Sequence, residues 1–229
     1  MNLEIVIPIR LNSSRVYQKV EQTICVKGKE LTLIDIKIRQ LLRFFSKGQI
    51  ILSYSEDHFD KYVKQYGIKK SKRDNTFSES GYEDVVTTRK FMQHIVKDCS
   101  AEYIGWCTVV TPFHNGEVIK EACDFYLKQA IPLGYDSLVT ISNIKHFFWY
   151  EGKPLNYFAD ERHVSSQDVN PLQKVTNGLY LNKLKNYMDL GYFLGEKIYP
   201  YVVDEINSID IDTQTDLDMA RALNYLIEI

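Results

Sequence analysis

The 229-residue chain is poor in the features that most readily identify a sequence. It has four cysteines, Cys25, Cys99, Cys107 and Cys123, and none is in C-x-x-C spacing. That argues against a zinc site or a disulfide framework and predicts buried, reduced thiols. No apolar run approaches the ~18 residues of a membrane-spanning helix, so no membrane partner is expected. The first residues lack the basic-then-apolar layout of a signal peptide, and a cytoplasmic protein is the expectation. Neither sign of charge dominates: 28 Lys and Arg stand against 30 Asp and Glu, a net charge of −2. No global basic field is therefore available to recruit nucleic acid. No glycine precedes Gly28, so the first loop holds neither a Walker A motif nor a G-x-G-x-x-G fingerprint. Internal repeats and low-complexity tracts are absent.

What is present suits one full α/β domain: 45% hydrophobic and 25% charged residues. Short apolar stretches read as buried parallel strands at 3–9, 49–53, 68–70, 103–110, 137–141, 178–181 and 198–203. Helical periodicity falls between them at 31–45, 57–66, 83–97, 116–129, 183–190 and 215–227. This alternation predicts a mostly parallel, Rossmann-like sheet covered by helices on both faces, a three-layer α/β/α sandwich spanning 1–229. From about 143 to 181 the rhythm breaks. An aromatic hairpin (His146-Phe147-Phe148-Trp149-Tyr150, then Pro154-Leu155-Asn156-Tyr157, with Gly152 near the turn) reads as an insertion into the sheet domain.

Two features carry chemistry. Arg10, Arg15 and Lys19, with Asn12, Ser13 and Ser14 among them, leave the C-terminal end of the first strand, where open α/β sheets bind ligands. Three cations and free hydroxyls suit a triphosphate, because guanidinium forks chelate phosphate oxygens and an ammonium adds a mobile charge. A solvated basic loop is the plain alternative. Near the other end, Ser208-Ile209-Asp210-Ile211-Asp212-Thr213 sets two carboxylates one residue apart. Such a pair repels itself unless a cation intervenes, and Mg2+, which completes its octahedron with water and phosphate oxygens, fits. A solvated turn is the alternative there.

Ile7-Pro8-Ile9-Arg10-Leu11-Asn12-Ser13-Ser14-Arg15, with Lys19 after a three-residue gap, resembles the CTP-binding loop of the sugar-activating cytidylyltransferases, which make CMP-Kdo, CMP-sialic acid and related CMP-nonulosonates. The Arg-x-x-Ser-x-Arg-x-x-x-Lys spacing is closest to the Kdo branch. Thr108-Val109-Val110-Thr111-Pro112-Phe113, Gln167-Asp168-x-x-Pro171, Asn177-Gly178-x-Tyr180 and the closing Asp-x-Asp segment are similar to acylneuraminate-branch motifs and occur in the same order. Arg15 and Val20 stand where that branch has a lysine–glycine pair and an asparagine. The Kdo branch carries an Asp on the central strand, where this chain has Val109-Val110, which favours a metal site built from Asp210 and Asp212.

The resemblance implies a nucleotidyltransferase of the CTP:sugar cytidylyltransferase type, with a nucleotide-diphospho-sugar-transferase fold and CTP and Mg2+ as substrate and cofactor. CMP would pass to a sialic-acid-like (nonulosonic) or other 2-keto sugar acid for surface-polysaccharide biosynthesis. Catalysis would fall to Arg10, Arg15 and Lys19. Nucleotide binding would use these with Ser13, Ser14, Thr108 and Arg73 of the 71–83 loop, although a surface salt bridge accounts equally well for Arg73. Gln167, Asn177, Tyr180 and Arg162 would take the sugar. Asn177-Gly178 also reads as a simple turn, and Arg162 as a solvated hairpin arginine. The 143–181 insertion would form a homodimer. An enzyme for another acidic or phosphorylated acceptor, or a non-catalytic nucleotide-binding relative, remains open. His114 reads either as a general base or as a surface histidine before a helix, and Trp106 and Cys107 as packing of the central strand.

Overall fold

A computed structural model of the chain describes residues 2–74 and 85–229. Its elements in chain order are β1 (Leu3–Pro8), a hairpin β2 (Thr23–Val26) and β3 (Lys29–Thr32), α1 (Leu33–Leu42), β4 (Ile50–Tyr54), α2 (Asp60–Tyr66), β5 (Lys69–Lys72), α3 (Val85–Ile95), β6 (Tyr103–Cys107) and α4 (Gly116–Phe125). Then come β7 (Ser137–Ile144), the short hairpin β8 (Trp149–Tyr150) and β9 (Lys153–Pro154), β10 (Leu172–Lys183), α5 (Leu184–Leu190), β11 (Ile198–Val202) and α6 (Gln214–Ala222).

Seven strands form one sheet in the order β11-β7-β10-β6-β1-β4-β5. The pairs of β1 with β4 and β6, of β4 with β5 and of β7 with β11 are parallel, and only β10 runs against its neighbours. The mostly parallel sheet expected from the βα rhythm is therefore present. Its strands alternate between two cores, as the two-residue period of a strand requires. Ile5, Ile7 and Leu52 pack on the face covered by α1, α4 and α6, while Val6, Ile51 and Ile104 pack with Met92 of α3 and Tyr187 of α5 on the other. Both faces are covered, which is why β1 reads as an unbroken apolar run rather than an alternating one.

Local chemistry explains several boundaries. Thr32 and Asp35 form a reciprocal capping box that starts α1 two residues later than the apolar periodicity suggests. The 11–28 stretch, loop-like in sequence, contains the β2–β3 hairpin, whose turn residues Lys27 and Gly28 both have positive φ. Strand β6 stops at Cys107 rather than Val110, because the chain leaves the strand at Thr108 and turns at Val109 and Val110. Helix α4 passes at Tyr126 into a wider-wound turn to Ala130. β10 is far longer than the 178–181 stretch expected, and the excursion off the sheet spans 145–171 between β7 and β10. Of the cysteines, Cys107 and Cys123 are buried as expected, but Cys25 is exposed and Cys99 half-buried. Among the described residues, no helix is long and apolar enough to cross a membrane.

Candidate active site

At the carboxyl ends of β1 and β6 a cavity of about 440 Å3 opens. The first loop supplies its basic side: Arg10, Asn12, Ser13, Arg15 and Lys19 all line it. The loop is tied down by its apolar residues, since Val16 and Val20 are buried in the core, which leaves the intervening polar residues facing the cavity. Gln18, in the left-handed region at φ 44°, starts the single 3-10 turn that carries Lys19.

Asp210 and Asp212 close the same cavity from the C-terminal side. Ile211 between them is fully buried, and its N–H donates to the Val110 carbonyl at 2.8 Å. This anchor turns both flanking carboxylates outward. Thr213 caps α6, accepting from the Asp216 N–H, while Asp216 accepts from the backbone of Asp212 and Thr213. Burial disfavours the charge on Asp216, but these hydrogen bonds outweigh it and hold its carboxyl below the usual range.

The two ends of the chain meet on Asp212. Its Oδ1 lies 3.1 Å from Arg15 Nη2 and 3.2 Å from Lys19 Nζ, and Lys19 also donates to the Ile211 carbonyl at 2.8 Å. Asp210 is held differently: Asn177 Nδ2 donates to its Oδ2 at 2.8 Å, and the Tyr180 hydroxyl donates to Asn177 Oδ1 at 2.6 Å. Thr108 Oγ1 donates to the Asn177 carbonyl at 2.7 Å. Arg10 makes no ion pair among the described residues.

Asn177-Gly178 is not a turn between elements. It sits in a bulge where residues 176–179 of β10 face only Thr140 of β7. Asn177 takes φ 56° there. The Thr140 and Thr176 hydroxyls lie 2.8 Å apart and accept the Leu179 and Gly178 N–H groups that the ladder loses. The bulge aims Asn177 at the cavity.

Arg73 is neither a surface salt bridge nor exposed. Its guanidinium is buried and donates to the carbonyls of Ser53 and Ile9, bracing the ends of β4 and β1. Burial, countered in part by Glu56, lowers its pKa to about 10. It still lines the cavity, and its Nε has no hydrogen-bond partner among the described residues. Residues 75–83 of the loop expected beside it lie outside the described residues.

Thr108 and Tyr180 line the cavity, but Ser14, Gln167 and Arg162 do not. Arg162 chelates Asp160 and lies 4.1 Å over the Phe158 ring, out on the excursion. Gln167 is exposed, its carbonyl taking a hydrogen bond from Lys145. The residues missed from sequence are apolar: Phe91, Trp106 and Phe193 form an aromatic wall with Tyr180, the Tyr180 and Phe193 rings 4.3 Å apart. Trp106 does pack the central strand, but its remaining surface faces the cavity, which a β-strand periodicity alone does not reveal. His114 is fully buried rather than a surface residue, and burial together with the nearby Lys37 charge lowers its pKa to about 3.

The donor set suits a hard divalent ion. Asp210 and Asp212 offer two outward carboxylates, each with one oxygen outside the hydrogen bonds above, and oxygen-only ligation with few protein ligands is the habit of Mg2+. Among the described residues no cluster of three or more His, Cys, Asp or Glu could hold a metal, so an ion here would draw its remaining ligands from water and a bound phosphate.

No protein-family model matches the sequence, and no curated protein matches it either. Solved structures do. The CTP complex of a CMP:2-keto-3-deoxy-manno-octonic acid synthetase superposes with a TM-score of 0.64 at 15% identity, covering 96% of this chain and 97% of that one. A cytidylyltransferase from Leptospira borgpetersenii gives 0.60 at 14% identity over 97% of this chain and 86% of that one. A 4-diphosphocytidyl-2C-methyl-D-erythritol synthase from Anaerococcus prevotii gives 0.58 at 14% identity over 97% and 99%. At these identities the likeness is one of fold, and it extends over nearly the whole chain.

Proposed function

We propose that this chain is a cytidylyltransferase that moves CMP from CTP to a nonulosonic or other 2-keto sugar acid and releases pyrophosphate. The observation that carries this is the convergence of Arg15 and Lys19 with Asp212, and of Asn177 and Tyr180 with Asp210, on one cavity at the carboxyl ends of β1 and β6. Phosphoryl-group chemistry of this kind asks mainly for positioning and charge neutralisation. A cavity with cations on one side and paired carboxylates on the other offers both. Three structures of similar fold are named as CMP- or cytidyl-transferring enzymes, which supports cytidine as the base.

In the reaction an acceptor hydroxyl oxygen attacks the α-phosphorus of CTP. The new P–O bond forms as the bond to the β-phosphate oxygen breaks, pyrophosphate leaves, and the hydroxyl proton passes to solvent. Arg10, Arg15 and Lys19 hold the β- and γ-phosphates and stabilise the charge that develops on the leaving group. Ser13 orients the triphosphate. The buried Arg73 lines the cavity with an Nε that has no hydrogen-bond partner among the described residues, and is assigned here to the cytosine. Asp210 and Asp212 would hold Mg2+, and a bound ion would supply charge neutralisation for the phosphates and a lowered pKa for the attacking hydroxyl. The aromatic wall of Trp106, Tyr180 and Phe193 suits the apolar face and substituents of a sugar ring. On this reading the exposed aromatics of the 145–171 excursion, Trp149 and Tyr150 among them, meet a second copy of the chain.

The test is a pyrophosphate-release assay with CTP, Mg2+ and a panel of 2-keto sugar acids. Release with at least one acceptor, abolished by Asp212→Ala in a folded protein, is expected. Tight CTP binding with no release on any acceptor would instead make the chain a nucleotide-binding module, and absence of CTP binding would refute both.

A further inference from the structure

His114 touches both segments that carry Asp210 and its partner. Its Nδ1 lies 3.1 Å from the Asn207 carbonyl, at the head of the loop leading to Asp210. A carbonyl only accepts, so Nδ1 carries the proton and Nε2 is a bare acceptor, which has no partner among the described residues in its fully buried site. The face of the ring packs on Gly178 in the β10 bulge. A Cβ built on Gly178 would fall 2.6–2.7 Å from three ring atoms, so only glycine fits. The ring itself is held from behind. Lys37 of α1, fully buried, donates to the carbonyls of Thr111 and His114 and locks the turn between β6 and α4. Asn207 is fixed in turn by two hydrogen bonds to Asp204, at 2.7 and 2.8 Å.

We infer that His114 is a positioning residue for the carboxylate at Asp210, acting as a neutral spacer between the bulge and the Asn207–Asp210 loop. One edge of the ring sets where the loop begins, and one face sets how near the bulge comes. The Asn177–Asp210 hydrogen bond on the cavity side is the product of those two distances. Chemistry confined to the ring cannot reach the substrate, because the side chain has no exposed surface. Its role is to hold the oxygen of Asp210 that Asn177 leaves free at the geometry a metal requires. Ligand groups must be held within about 0.5 Å of the productive arrangement to be effective. This inference rests on the function proposed above as regards the metal, but its geometric core does not.

The test uses the full chain with His114→Phe, which keeps a planar ring but removes the donor, and His114→Asn, whose amide nitrogen restores a donor near the Nδ1 position. The Asn177 side-chain amide protons, assigned by their loss in Asn177→Ala, report the bond to Asp210 by NMR without any metal. Mn2+ alone, followed by EPR, reports the carboxylate site, with Asp210→Asn as the control for site-specific binding. In His114→Phe the Asn177 amide signal is expected to shift to the position of a solvated amide, and Mn2+ affinity to fall at least about tenfold. His114→Asn should recover most of both, and combining His114→Phe with Asn177→Ala should weaken Mn2+ no further than His114→Phe alone. An unmoved Asn177 signal with Mn2+ affinity within twofold of wild type would overturn the inference and leave His114 as packing. Should His114→Phe fail to fold, His114→Leu, which also lacks the donor, takes its place in the same two measurements: a shifted Asn177 signal with weakened Mn2+ binding supports the inference, and an unmoved signal with affinity within twofold of wild type overturns it. If the wild type binds neither Mn2+ nor CTP, the proposed function falls, while the Asn177 signal still judges the positioning role.

Discussion

Asp212→Asn should make the protein bind CTP more tightly when no metal is present. In the structure the Asp212 carboxylate takes both Arg15 and Lys19, the cations assigned to the phosphates, so a metal-free nucleotide must first pull them away. Two unit charges about 4 Å apart attract by roughly 4 kcal/mol at an effective dielectric of 20. The Arg15 and Asp212 side chains, however, are 61% and 40% exposed, and screening and side-chain entropy cut such pairs to about 0.2–1 kcal/mol. Lys19 is only 13% exposed and keeps its bond to the Ile211 carbonyl, so its pair belongs at the upper end of that range. A combined cost of about 1.4 kcal/mol corresponds to about a tenfold change in Kd. Isothermal titration calorimetry in EDTA should therefore give a Kd for CTP about tenfold lower in the variant. In Mg2+ the order should reverse, because the variant has lost one of the two carboxylates proposed to hold the ion. The metal-free gap should narrow as salt is raised, and Asp210→Asn, whose carboxylate touches Asn177 rather than a cation, should show a smaller gain. Equal or weaker metal-free binding by Asp212→Asn would refute the reasoning.

Three further outcomes follow from the geometry. Gly105→Ala should lower stability by about 1–3 kcal/mol, because the added Cβ would lie 2.6 Å from Ile5 Cδ1 in the packed centre of the sheet; an unchanged Tm would mean that the core yields more easily than its packing suggests. Burial lowers the Lys37 pKa from 10.5 to about 8. Between those values the unfolded chain binds the extra proton, so stability should rise with pH through that window, by up to about 1.4 kcal/mol per pH unit for one proton. Urea unfolding at pH 8 and pH 10 should show a rise in wild type that exceeds that of Lys37→Met, and parallel curves would contradict the buried charge. On the proposed dimer, light scattering should give twice the chain mass for wild type, and replacing Trp149 and Tyr150 together by Asp should halve it at unchanged far-UV circular dichroism; a monomeric wild type would refute the dimer, and a variant that stays dimeric would refute this contact.

The layered fold was legible because it rests on periodicities that a linear chain carries by itself. β1 and β4 are short apolar runs bounded by polar residues, and α1 and α4 repeat their apolar positions every three to four residues. The cations of the first loop were legible too, since a loop leaving the end of a parallel strand faces the sheet's ligand edge in any such fold. The β2–β3 hairpin was not, because its two strands are only four residues each, too short for the alternation that buries Ile24, Val26 and Leu31 to stand out in sequence. Neither was the burial of Arg73 and His114. A polar side chain is buried when carbonyls from distant strands happen to converge on it, and nothing in its sequence neighbours records that.

The sequence by itself determined that strands alternate with helices, that a basic loop follows the first strand and that Asp210 and Asp212 flank an apolar residue. Only the tertiary structure decided that Lys19 and Asp212, 193 positions apart, share an ion pair, and that Arg162 and Gln167 stay outside the cavity that Asn177 and Tyr180 enter. Local residue types set periodicity and charge, which act over a few residues. Which charges face each other depends on strand order, and here that order brings the ends of β1 and β6 and the loop before α6 to one edge of the sheet.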